Sequence, residues 1–201
     1  MKAETVLAFD TSAAHCAAAL LCGPDLWIMD EPMAKGQAER LMPMLEELLD
    51  RAGKGWTDVT LIGVGTGPGN FTGVRISVAA ARGLALGLDI PAIGVTRLEA
   101  LAHGLPRPVT VIEDARRDEV YVQHFAEAPG SAHLAPAPWR ADGATTGSAA
   151  PGGLPAAMPL VQAIAEIAAT RAGSPQPRPA PFYLRGADAA PPADPPPVIL
   201  P

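Results

Sequence analysis

The residues best suited to chemistry lie in Gly65-Thr66-Gly67-Pro68-Gly69-Asn70-Phe71-Thr72-Gly73-Val74-Arg75-Ile76-Ser77. This stretch joins the apolar run Leu61-Ile62-Gly63-Val64 to a long Ala/Leu-rich segment, the layout of strand, glycine turn and helix. Glycines reach positive φ and let a backbone pass close to another group. A helix start leaves N–H groups unpaired with partial positive charge, which suits a phosphate or a carboxylate. Arg75, about one turn into the helix, could grip either anion in bidentate fashion. Gly67, Gly69, Thr72 and Arg75 are therefore candidate anion or nucleotide contacts. The loop fits neither common nucleotide motif: it has no Gly-Lys-Ser/Thr ending, and Asn70 or Thr72 falls where a G-x-G-x-x-G pattern needs its third glycine. A tight β–α turn packed on itself stands as the other reading, and spacing alone favours it.

Asp10-Thr11-Ser12 sits where the first strand ends and turns back. A carboxylate and two hydroxyls there could hold a phosphate-bound metal ion or a catalytic water, and they could equally close the turn. Asp10 and Thr11 join the candidate contacts on that basis. The histidines at 15, 103, 124 and 133 show no His-x-x-x-His or Cys/His pair at ligand spacing, so no metal site is expected. No Gly-x-Ser-x-Gly elbow anchors a triad. Asp114-Ala115-Arg116-Arg117-Asp118-Glu119-Val120-Tyr121 concentrates charge at a hairpin tip. That is either a solvated, mutually paired turn or a buried acid–Arg pair joining two lobes.

Positioning these residues requires a definite run of elements. Thr5–Asp10 reads as a buried first strand, Cys16–Cys22 as a second, and Leu26–Asp30 as a third across the turn Gly23-Pro24-Asp25. A helix from about Gln37 to Ala52 places Leu41, Met44, Leu45 and Leu48 on one face, with Pro43 in its first turn or at a kink. Strand Leu61–Gly65, helix Phe71–Leu88, strand Pro91–Val95 and a helix from about Thr96 to His103 complete a β-β-β-α-β-α-β-α order. In the second helix Gly83 and Gly87 share a face, where glycine costs about 1 kcal/mol each against alanine. Something is expected to approach closely there, from this chain or another subunit. Val109–Glu113 and Glu119–Phe125 read as a hairpin, and Leu160–Arg171 as a helix.

Only 5 of the 23 prolines (Pro24, Pro32, Pro43, Pro68, Pro91) fall in residues 1–105. The chain thus divides into an α/β first lobe at 1–105, a smaller second lobe at 106–185 and a Pro-rich tail at 186–201, expected to be extended or disordered. With 201 residues, 48% of them hydrophobic and only 4% aromatic, the core must be aliphatic and alanine-rich. A net charge of −6 argues against a protein that grips nucleic acid unaided. No apolar run is expected to span a bilayer, the N-terminus lacks signal-peptide form, and a cytoplasmic protein is expected. Cys16 and Cys22, if they share a strand, lie roughly 20 Å apart, beyond disulfide reach.

Taken together, Ala8-Phe9-Asp10-Thr11-Ser12, Gly67-Pro68-Gly69-Asn70-Phe71-Thr72-Gly73-Val74-Arg75-Ile76, Pro91-Ala92-Ile93-Gly94-Val95, Asp114-Ala115-Arg116 with Glu119-Val120-Tyr121, and Phe182-Tyr183-Leu184-Arg185 resemble the TsaB (YeaZ) family. The resemblance implies an α/β fold of the actin/Hsp70/sugar-kinase (ASKHA) type, from which the short, proline-rich region 127–181 departs as a reduced second lobe. It implies a non-catalytic subunit of the machinery that makes threonylcarbamoyladenosine in tRNA. The partners it implies are a TsaD-like transferase, a TsaE-like ATPase, tRNA reached through the complex, and a homodimer, with no membrane. ATP or ADP would act within the complex, and the chain would carry no cofactor of its own. TsaD carries a His-x-x-x-His metal motif after the strand equivalent to Ala92–Val95, and here Arg97 and Leu101 occupy those places. Subunit contacts would fall on Leu41, Met44, Leu45 and Leu48 of the first helix and Gly83 and Gly87 of the second. The alternative, from another class, is an autonomous enzyme of this fold, either an ATP-dependent kinase or a metallopeptidase.

Overall fold

Strand β1 (Thr5–Asp10) is buried along its whole length and forms the middle of a five-stranded sheet of order β3-β2-β1-β4-β5. The structure is a computed structural model, and it describes residues 4–185, so the Pro-rich stretch 186–201 lies outside the described residues. β2 (His15–Cys22) and β3 (Asp25–Pro32) run antiparallel to their neighbours, whereas β4 (Leu61–Gly65) and β5 (Ala92–Val95) add in parallel. The mixed pattern follows from the connections. A Gly23 turn at φ 60° suffices to reverse β2 into β3, while parallel strands need a helical crossover.

Alternation along β1 divides the core. Leu7 and Phe9 face α1 (Gln37–Arg51) and α2 (Phe71–Leu88), meeting Leu41, Met44, Leu45, Leu48 and Ala81. Val6 and Ala8 face the other way, onto α4 (Leu160–Arg171) through Val161, Ile164 and Ala168. A Cβ at Gly63 would lie 3.1 Å from Ala168 Cβ and 3.3 Å from Ile164 Cγ2, which shows how closely α4 sits on β4.

That placement corrects the division at residue 105. By chain position α4 belongs to the second lobe, but its apolar residues cover the first sheet. The physical reason is that Val6, Ala8, Ala17, Ala19 and Leu61 form a second apolar face that α1 and α2 leave uncovered.

The second sheet, of order β8-β7-β6-β9, contains β6 (Val109–Arg116), β7 (Glu119–Phe125), β8 (His133–Pro136) and β9 (Thr145–Thr146). The short strands β8, which ends at Pro136, and β9, flanked by Gly143 and Gly147, were not legible as strands. α3 (Arg97–Ala102) packs Leu98 and Ala102 against Val109, Val111 and Phe125, so it links the first sheet to the second. Pro43 sits inside α1 rather than in its first turn, removing one donor to the Glu39 carbonyl. α2 is, by length and composition alone, long and apolar enough to cross a membrane, which corrects the expectation that no run reaches that length. Here it lies on the sheet through Val74, Val78 and Ala81, with Arg75 and Arg82 on its open side.

Candidate functional site

β1 and β4 are parallel neighbours, so the turn after β1 and the glycine loop after β4 emerge side by side at their carboxyl ends. In open α/β sheets this edge is where ligands bind. The structure does bring the two sequence candidates together there, but it turns them toward each other.

Asp10 is 1% exposed. Its Oδ2 accepts hydrogen bonds from the Ser12 amide (3.1 Å) and the Ser12 hydroxyl (2.9 Å), and it lies 2.8 Å from His15 Nε2. The other ring nitrogen of His15 lies 3.6 Å from Asp30 Oδ1. A Cβ at Gly65 would sit 2.0 Å from Asp10 Oδ1, so only glycine lets the carboxylate lie against β4. Thr11 Oγ1 donates to the Gly73 carbonyl at 2.6 Å, and the Asn70 amide donates to the Ser12 carbonyl at 2.6 Å. Cβ atoms at Gly69 and Gly73 would fall 2.3 Å from Ser12 O and 1.9 Å from Thr11 O. The glycines therefore serve a backbone-to-backbone clasp. Of these glycines only Gly67 has positive φ, at 87°, and its carbonyl accepts from the Arg97 amide at 2.7 Å.

Asn70 closes the start of α2, its Oδ1 accepting from the Gly73 amide at 2.9 Å. At Asp10, Thr11, Gly67 and Gly69 the anion reading meets groups already engaged within the chain. Asp10 and Thr11 are buried with partners inside the chain, and Gly67 and Gly69 press on protein atoms. Thr72 is exposed on α2. Arg75 lies with its guanidinium carbon 3.7 Å from the Phe71 ring centre, and its Nε donates to Tyr183 Oη at 3.1 Å. Phe71 and Tyr183 stack with ring centres 5.3 Å apart. This cation–aromatic cluster was missed in the sequence because its partners are 108 residues apart.

At α3, Arg97 Nε donates to Glu113 Oε2 at 2.7 Å, and the other Glu113 oxygen accepts from the Ser148 amide at 2.6 Å. Glu113 is 6% exposed. The charged hairpin thus contributes a largely buried acid–Arg pair between α3 and the second sheet, although the acid is Glu113, one residue before the stretch singled out. Leu101 packs beside Leu98 and Val109. A guanidinium held by a carboxylate and an aliphatic side chain cannot ligate a divalent cation. Among the described residues no three His, Cys, Asp or Glu side chains converge as a metal site would require.

The partner surface read from the sequence divides in two. Leu41, Met44, Leu45 and Leu48 are at most 1% exposed, which corrects their assignment to an interface: their helical stripe faces the first sheet. Gly83 and Gly87 have nothing within 4 Å of an added Cβ, so no part of the described chain approaches them. Beside them Leu86 is 82% exposed, and on α1 Met42 is 37% exposed. α1 is anchored to β3 by Arg40, which contacts Glu31 at 2.6 Å and Glu47 at 2.7 Å. Hydrogen bonding from Arg40 holds both carboxyls below their ordinary range. Burial, followed by the negative charge of Glu31, pushes the Cys16 thiol up to about 11.

A family model described as "TsaD: tRNA N6-adenosine threonylcarbamoyltransferase" matches residues 28–136. A solved structure of YeaZ from Pseudomonas aeruginosa superposes with a TM-score of 0.72 at 30% identity, covering 90% of this chain and 100% of that one. The chain belongs to the TsaB (YeaZ) family. The tRNA threonylcarbamoyladenosine biosynthesis protein TsaB of Haemophilus influenzae is 39% identical over 127 residues, 60% of this chain and 53% of that protein. The chain thus matches about half the length of that relative. An uncharacterized protein of Mycobacterium bovis is 32% identical over 203 residues, covering 95% of this chain and 96% of its own length. Membership in TsaB (YeaZ) accounts for the ASKHA-type α/β arrangement of mixed sheets seen here.

Proposed function

We propose that this chain is a non-catalytic subunit of the tRNA threonylcarbamoyladenosine machinery. In that role it pairs with a TsaD-like transferase, which carries threonylcarbamoyl to the tRNA adenosine beside the anticodon. A TsaE-like ATPase and ATP or ADP act within the complex, tRNA is reached through it, and the setting is the cytoplasm. The observation that carries this reading is the pair at α3. Arg97, standing at one metal-ligand position of the resembled transferase, is committed to Glu113 at 2.7 Å. The clasp between the glycine loop and the Asp10 turn adds to it, because the edge where the fold would bind a ligand is filled by the chain's own backbone.

The partner surface follows from what remains open. Ala79, Gly83, Leu86 and Gly87 line the outer side of α2, where small residues allow a second helix to approach. The experiment is co-purification with a TsaD-like transferase, using Leu86→Glu and Gly87→Arg in the full chain. Both sites are open, so the variants should fold normally and lose assembly. Folded variants that assemble like the parent would place the interface elsewhere. The isolated chain should show no transferase, kinase or peptidase turnover. Product formation by the purified protein that disappears on changing Asp10 would restore the autonomous-enzyme reading.

A further inference from the structure

Residues 179–185 run as a strap across both sheets, and four consecutive side chains or amides in it reach four different elements. Pro179 lies over β5, with its Cα 3.6 Å from a Cβ placed on Gly94. The Phe182 amide donates to the Thr66 carbonyl in the glycine loop at 2.8 Å. Tyr183 stacks on Phe71 and accepts from Arg75, both on α2. Leu184 joins the apolar cluster between α3 and the second sheet. Arg185 then reaches the β6–β7 hairpin end, donating to the Ala115 carbonyl at 3.1 Å, to the Arg116 carbonyl at 3.4 Å and to the Glu119 carboxylate.

We propose that this strap is a built-in tie that fixes the second sheet relative to the first. It fastens the glycine loop on one side and the hairpin end on the other. Hinged closure needs a few linking residues free to change conformation. Here each residue of 182–185 is held by a separate contact, and the Arg97–Glu113 pair supplies a second tie on α3. Arg185 carries the most, since a guanidinium that meets two carbonyls and a carboxylate immobilises three acceptors with one planar group. The three hairpin-tip residues Arg116, Arg117 and Asp118 all sit at positive φ, between 55° and 61°. Arg185 holds the carbonyls beside this unusual turn in place.

The tie makes a cooperative prediction that separate surface contacts would not. Hydrogen exchange on the isolated full-length chain reads the amides of Phe182 and of the hairpin end around Asp114 and Arg116. Arg185→Ala should raise exchange at both places together by at least about tenfold, the loss of one charge-assisted hydrogen bond, while amides of β1 and β2 keep their protection. Faster exchange at the hairpin end alone, with Phe182 unchanged, would overturn the proposal, as would no change at either. If Arg185→Ala does not fold, Glu119→Gln decides. It keeps the carbonyl contacts, and the tie requires a smaller rise at both places in parallel. The measurement involves no partner, so its failure leaves the complex-subunit reading untouched.

Discussion

Replacing Gly73 and Gly83 by alanine, one at a time in the same helix, should move stability in opposite directions. A Cβ at 73 would lie 1.9 Å from Thr11 O and 3.0 Å from Thr11 C, where real Cβ atoms essentially never come within 3.0 Å. The helix and the Asp10 turn must therefore separate by about 1 Å. That breaks two contacts, Thr11 Oγ1 to Gly73 O, which is buried, and Asn70 N to Ser12 O, both 2.6 Å. Each such hydrogen bond lost costs about 1–3 kcal/mol. Alanine's better helix propensity returns about 1 kcal/mol. The net is a loss of about 3 kcal/mol, or a fall in Tm of about 6–12 °C for a chain of this size. At 83 nothing lies within 4 Å, so only the propensity gain remains and Tm should rise by about 2–4 °C. Thermal unfolding followed by far-UV circular dichroism measures both. Equal Tm values for the two variants would refute the clasp between loop and turn.

The Arg97–Glu113 pair is only partly shielded, since Arg97 is 23% exposed, so Arg97→Ala should cost about 1–3 kcal/mol. Glu113→Gln, which still accepts from Ser148, should cost less, and urea titration orders the two. Cys16, with its thiol raised from an ordinary 9.0 to about 11, stays protonated in the fold where the unfolded chain ionises. The contribution of Cys16 to stability should therefore be constant below about pH 9 and fall between about pH 9 and 11, a decline that Cys16→Ser removes. At neutral pH a thiol reagent should modify half-buried Cys22 well before buried Cys16; equal rates would contradict the packing of β2.

Element identities were legible wherever local chemistry decides them. Helices Phe71–Leu88 and Leu160–Arg171 and strands Thr5–Asp10, Leu61–Gly65 and Glu119–Phe125 fall at the residues their periodicity and turn signals mark. The order β-β-β-α-β-α-β-α and the resemblance carried by its motifs belong to the same class, since both are read along the chain. Both cysteines lie on β2, the strand read over Cys16–Cys22, and both are free. What the sequence could not decide is which atoms fill the space beside a candidate residue. Asp10 and the glycine loop had the right types for an anion site, and only their approach to 2.3 Å or less for an added Cβ reveals that backbone already occupies it. Leu41 and Leu48 read equally as core or as interface, because a helical stripe is apolar in both cases, and the sheet beneath claimed them. α4 crossed from its chain neighbours to the first sheet because burial is indifferent to sequence distance. The strap, the Phe71–Arg75–Tyr183 cluster and the Arg97–Glu113 pair are likewise contacts between distant segments. Periodicity along a chain records which face of an element is apolar, and only the folded structure determines what that face meets.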